Sequence, residues 1–70
     1  MLNKEKTKQV LDLAENQQLV SVNDLRKGLG WSLATAQRYL LELEIAKELE
    51  RVEHVKESGY TFKYWRLVGK

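Results

Sequence analysis

The sequence predicts an α+β fold, in which three helices are followed by a C-terminal two-stranded β-hairpin, as a single domain over residues 1–70. Two patterns predict this order. Apolar residues recur at spacings of three and four in three stretches before residue 48, as in amphipathic helices. Two short runs rich in aromatic and β-branched residues then flank a glycine-containing interval, as in a hairpin. A chain of 70 residues with 43% hydrophobic and 31% charged residues is typical of one small folded unit.

The first two helices are predicted over residues 3–16 and from residue 22 to the glycines at 28–30. Between them, the apolar run 19–21 favours a short piece of strand. Ser21 and Asp24 have the three-residue spacing of a capping box, which marks the start of the second helix. Glycine tolerates the positive φ of a tight turn, so this helix is expected to stop where the glycines begin.

The third helix is the longest and is predicted over residues 33–47, with Ser32 as its N-cap. Ala36, Leu40 and Leu43 fall at helical spacing, so we expect them to face the core. Good helix formers fill most of the remaining positions. The opposite side of this helix is therefore expected to lie in solvent.

The hairpin is predicted from strands over residues 49–55 and 60–68, joined by a loop over residues 56–59. Successive side chains of a strand point to opposite faces, which puts Trp65 and Leu67 on the same face of the second strand. We expect that face to pack on the helices, with Trp65 filling the core rather than stacking on bases.

The charges are segregated along the chain although the net charge is only +2. Residues 25–41 and 58–70 contain Lys and Arg without any Asp or Glu, whereas residues 42–57 contain six Glu. Such segregation indicates a polarised surface if the fold brings the two basic zones together.

Several classes of function are disfavoured by what the sequence lacks. There is no cysteine, and His54 is the only histidine, so neither a metal site nor a catalytic one is expected. No nucleophile–base constellation and no phosphate-binding glycine loop occurs, which predicts a protein that is not an enzyme and has no cofactor. No apolar run approaches the ~20 residues of a membrane span, and a cytoplasmic protein without membrane contact is expected.

A short helix, a glycine turn and a longer helix make up a helix-turn-helix, whose second helix enters the major groove of DNA. The first turns of the third helix carry small polar and basic side chains and no acid, which suits base edges and phosphates. The basic hairpin residues could add contacts to the DNA backbone. The candidate DNA-binding residues are Ser32, Leu33, Ala34, Thr35, Gln37 and Arg38 on the helix, with Lys56 and Lys63 on the hairpin.

Five motifs carry a family resemblance. They are Val22-Asn23-Asp24-Leu25, Leu29-Gly30-Trp31-Ser32, the run from Thr35 to Glu44, Leu49-Glu50-Arg51 and Tyr64-Trp65-Arg66-Leu67. Over about residues 4–68 the chain resembles the winged helix-turn-helix domain of bacterial transcription regulators, most of all the small fimbrial-operon regulators of the PapI and FaeA type. The resemblance implies binding of double-stranded DNA and regulation of transcription, often beside a second DNA-binding protein. Because one helix reads only a few base pairs, a homodimer or such a partner protein is expected. In a chain this small, no small-molecule effector is expected.

Two features of the third helix leave alternatives open. Lys47 stands where such domains commonly have a glycine, so the helix is expected either to run on or to end differently. Leu33, Ala34 and Leu41 would give a winged-helix protein-interaction module an apolar contact strip, and an excisionase-type DNA-bending protein is a further alternative. Arg38 has Glu42 four residues on, at the spacing of a helical ion pair.

Overall fold

The computed structural model describes residues 3–69 and confirms the α+β fold class. Three helices precede a two-stranded antiparallel hairpin, which is the layout of a winged helix. The elements are α1 Lys4–Gln17, α2 Val22–Leu29, α3 Leu33–Ile45, β1 Leu49–Val55 and β2 Thr61–Leu67. We call β1, β2 and the loop between them the wing. Within residues 3–69, none of the helices combines the length and the apolarity needed to cross a membrane.

The starts of α1 and α2 are fixed by side-chain caps. The Asn3 side chain accepts hydrogen bonds from the backbone amides of Glu5 and Lys6. The capping box predicted for α2 is confirmed, because Ser21 accepts from the amide of Asp24 while the Asp24 carboxylate accepts from the amide of Ser21 at 2.8 Å. At the other end of α2, Gly30 has a φ of 71°, a conformation that L-residues adopt at a cost.

The prediction that α3 is the longest helix and extends to residue 47 was wrong, because it ends two residues earlier and, at 13 residues, is shorter than α1 with 14. The helix ends at Ile45, and Lys47 has a φ of 63°. The Glu48 amide donates to the Leu43 carbonyl at 2.9 Å, and the Lys47 amide donates to the Glu44 carbonyl at 3.0 Å. These two bonds form a Schellman motif, which satisfies carbonyls that the end of a helix leaves free. Lys47 thus occupies the left-handed position that glycine usually takes.

The buried side chains form one cluster to which all three helices and both strands contribute. As predicted, Trp65 packs in the core and Leu67 packs against it; the core also contains Leu49 and Tyr39, and the periodicity of α3 did not place Tyr39 there. The Val20 amide donates to the Trp65 carbonyl at 2.8 Å, and the Trp65 amide donates to the Val20 carbonyl at 2.7 Å. The short strand predicted at 19–21 is therefore reduced to the single paired residue Val20. This bridge covers one edge of β2.

The hairpin register places Leu49 opposite Leu67 and Val55 opposite Thr61. The predicted strand 60–68 is one residue too long at each end. The Lys56 amide donates to the Tyr60 carbonyl and the Gly59 amide donates to the Lys56 carbonyl, both at 2.8 Å, so Tyr60 closes the turn rather than starting the strand. Residues 57–59 thus form a three-residue loop, and Gly59, with a φ of 87°, has the left-handed conformation that such a loop requires.

Candidate nucleic-acid interface

Burial of one side of α3 leaves the other side in solvent. Ala36, Tyr39, Leu40 and Leu43 face the core. We call the exposed residues on the opposite side the outer face of α3; they are Leu33, Ala34, Gln37, Arg38 and Leu41. Among the described residues, Arg38 has no ion-pair partner, and the pairing with Glu42 that the spacing allows is not formed. The guanidinium group therefore keeps all its hydrogen-bond donors available to a ligand.

The two predicted hydroxyl residues are used by the helix cap. Ser32 accepts from the Thr35 amide at 3.2 Å and donates to the Thr35 hydroxyl at 3.0 Å. Thr35 is half-buried, whereas Ser32 is exposed. The amides of Leu33 and Ala34 precede the first intrahelical hydrogen bond and point out of the helix start. The first turn of α3 thus offers backbone donors and the helix dipole more than free hydroxyl groups.

A cleft lies between the outer face of α3 and the wing. Leu33, Gln37 and Leu41 line one wall, and Lys63 and Arg51 stand on the other. The structure thereby brings the predicted residues Leu33, Gln37 and Lys63 together, although they are up to 30 positions apart in the chain. Lys56 is not in the cleft. It lies at the far end of the wing, where its Nζ is 4.8 Å from the centre of the Phe62 ring.

The basic zone predicted at residues 58–70 does not form a free cationic surface. Arg66 pairs with Glu50, which lies directly opposite on β1. The antiparallel register causes this, because it sets the acidic residues of β1 against the basic residues of β2. Lys63 faces Glu53 in the register without an ion pair between them, so Lys56 and Lys63 remain as the unpaired cations of the described wing.

A further cation reaches the start of α3 from α1. Trp31 packs on Tyr39 with ring centres 5.1 Å apart, and the Lys6 Nζ lies 5.7 Å from the centre of the Trp31 ring. The Tyr39 hydroxyl also accepts from the Asn3 amide at 3.0 Å, which holds the start of α1 here. Trp31 therefore packs over the turn that precedes α3. Sequence reasoning missed Lys6 because only tertiary contact joins it to this turn.

The wing is joined to α3 by one side-chain hydrogen bond. The indole Nε1 of Trp65 donates to Glu44 Oε1 at 2.8 Å, and the Trp65 side chain is 7% exposed. Arg51 approaches the same carboxylate at 3.9 Å. Glu44, on the side of α3 that faces the wing, thus contacts both strands of the hairpin through Trp65 and Arg51.

Comparison of the chain with models of protein families, with curated proteins and with solved structures gave no match.

Proposed function

We propose that this protein is a small DNA-binding regulator of transcription that places the outer face of α3 in the major groove and the wing against the DNA backbone. The observation that supports this most is the free guanidinium group of Arg38 on an exposed helix surface that carries no acid from Ser32 to Leu41. An arginine in the major groove binds guanine through two hydrogen bonds, and Gln37 beside it has the donor and acceptor pair that suits adenine.

Positive groups lie around this helix surface and would meet phosphates in such a complex. The start of α3 has free amides and the positive end of the helix dipole, and Lys6 lies over the adjacent Trp31. Lys63 stands across the cleft, and Lys56 is at the wing tip. Acidic residues on α3 begin only at Glu42, roughly 15 Å along the helix axis from Ser32, where a docked helix would leave the groove.

The experiment that tests the proposal is a salt titration of binding to duplex DNA selected from a random pool. We expect the logarithm of the affinity to fall linearly with the logarithm of the salt concentration, by ~0.9 for each phosphate contacted. Absence of duplex binding at low salt would contradict the proposal.

Arg38→Ala and Arg66→Ala form a matched pair within that experiment. Loss of Arg38 is expected to weaken binding to the selected sequence by ~1–3 kcal/mol if it reads a base. Loss of Arg66 is expected to change binding little, because Glu50 already holds its guanidinium group and it lies beside Leu19 on the α1 side of the wing. Equal losses in the two variants would count against a role of Arg38 in recognition.

One observation favours a protein-interaction module as a second candidate. Leu33, Leu41 and Ile45 are 48%, 52% and 68% exposed, and all three lie on the solvent side of α3. Large apolar side chains grouped on a surface often mark a protein contact. On this alternative, a protein partner and not duplex DNA would shift the NMR signals of α3.

A further inference from the structure

The outer edge of β1 has no partner among the described residues. In an antiparallel pair, the backbone groups of successive residues point alternately toward and away from the neighbouring strand. The Trp65 amide and carbonyl are turned to Val20, so Trp65 and Arg51 do not exchange hydrogen bonds across the hairpin. It follows that β1 directs the backbone groups of four alternate residues away from β2. These residues are Leu49, Arg51, Glu53 and Val55.

We propose that two copies of the chain pair through this edge, with their β1 strands antiparallel and centred on Val52. The hairpins would then form one continuous four-stranded sheet. In this register, Arg51 of each copy lies opposite Glu53 of the other, and Leu49 lies opposite Val55. Each of these residues directs its backbone groups outward, so the facing amides and carbonyls meet.

The side chains of β1 are complementary to themselves in reverse order. The sequence reads Leu-Glu-Arg-Val-Glu-His-Val, so reversing it sets an acid against a base on both sides of the central valine. Opposite charges directly across an antiparallel pair stabilise it, and like charges destabilise it. The ion pairs that Arg51 forms within the chain are long, at 3.9 Å from Glu44 and 3.8 Å from Glu53, so Glu53 of the second copy would compete only with weak contacts.

The neighbouring registers are unfavourable. A shift of two residues in one direction sets Arg51 opposite Arg51 of the second copy, and a shift in the other direction sets Glu53 opposite Glu53. Shifts of one residue place outward-directed backbone groups against inward-directed ones. Only pairing centred on Val52 combines outward backbone groups with opposite charges.

The exposure of β1 agrees with a contact made by its distal half. Val55 is 63% exposed although it lies on the same face as the core residue Leu49. Pairing would cover Val55 beside Leu49 of the second copy. A single strand pair buries less than ~1,200 Å², the range of weak and transient complexes, so we expect self-association to require high protein concentration.

Sedimentation equilibrium at protein concentrations up to about 1 mM tests this self-association, because even a weak dimer forms at such concentrations. The experiment contains no DNA, so its result is independent of the proposed function. Wild-type protein is expected to form dimers. Arg51→Glu and Glu53→Arg each turn two attractive pairs into repulsive ones and are expected to weaken self-association by about tenfold or more. Glu57→Arg makes the same change of charge as Glu53→Arg in the exposed turn, away from the edge, and is expected to dimerise like the wild type.

The two variants give a decisive result when they are mixed. Arg51→Glu carries two acids on its edge and Glu53→Arg carries two bases, so an equimolar mixture is expected to form a heterodimer although each variant alone is monomeric.

Amide exchange in the unmodified chain is a second readout that needs no substitution. The outward amides of Arg51 and Glu53 are expected to gain protection as concentration rises, whereas the Val52 amide, already bonded to β2, is not. A wild-type monomer at about 1 mM, a mixture that stays monomeric, or unchanged exchange at Arg51 and Glu53 would overturn the proposal.

Discussion

Lys47 shows how one residue decides where the third helix ends. Its φ of 63° is in the left-handed region, where a Cβ is crowded by the backbone. The chain adopts it because the Schellman bonds of Glu48 and Lys47 close the end of α3 and turn the chain into β1. A lysine at this position therefore stores strain that a glycine would not.

Lys47→Gly is expected to stabilise the fold by about 1 kcal/mol, since the relief of left-handed strain exceeds the extra entropy of an unfolded glycine. Urea unfolding monitored by circular dichroism measures the change. Lys47→Ala is the matched control, because it removes the same charge but keeps the Cβ. If the alanine variant is as stable as the glycine variant, strain at this position is not the cause.

Individual residues were predictable from the sequence where local spacing fixes their role. Ser21 and Asp24 form the capping box that their spacing predicts, and Ala36 lies in the core as the periodicity of α3 requires. Tyr39 and Lys6 were not predictable, because their surroundings come from contact between α1 and the turn before α3. No periodicity within one helix encodes that contact.

Glu44 on the third helix contacts the wing. Its carboxylate accepts from the buried indole of Trp65, and the cleft that contains Gln37 and Lys63 opens beside this contact. A buried donor without an acceptor costs more than a formed hydrogen bond contributes. Glu44 thus adds a side-chain hydrogen bond to the core packing of Leu49 and Trp65 that holds the wing against α3.

Glu44→Ala is expected to destabilise the fold by about 1–3 kcal/mol, because the Trp65 N–H then loses its partner. Thermal or urea unfolding measures this, and the fluorescence of Trp65 is expected to report a wetter surrounding. Glu42→Ala removes the same group from an exposed position of the same helix and is expected to cost less than about 0.5 kcal/mol. Similar losses in both variants would show that the indole contact contributes nothing.

The order of the elements was predictable, and the charge surface was not. Helical spacing, the glycine turn and the hairpin runs predict all five elements to within two residues at the ends the structure describes. The two basic zones were equally plain in the sequence, but the register of β1 and β2 pairs Arg66 with Glu50. Segregation of charge along the chain gives a charged surface only when strand pairing does not bring the opposite charges together.

Taken as a whole, the molecule has two surfaces with different chemistry, which meet at Arg51. Leu33, Gln37 and Leu41 of α3 and Lys63 and Arg51 of the wing line a cleft that is apolar and cationic, whereas the edge of β1 offers backbone groups and self-complementary charges. A single groove helix contacts only a few base pairs. If both proposals hold, a twofold pair of copies would present two α3 helices, and the DNA target would be an inverted repeat.

The measurement that tests the proposed interface most directly is an NMR titration of the amide signals with the selected DNA duplex. We predict shifts concentrated at residues 32–41 of α3 and its cap and around Lys63 in the cleft, with the signals of Leu19 and Arg66 on the α1 side of the wing unchanged. Shifts confined to that α1 side, or no shifts with duplex DNA while a protein partner perturbs α3, would contradict DNA binding through this face.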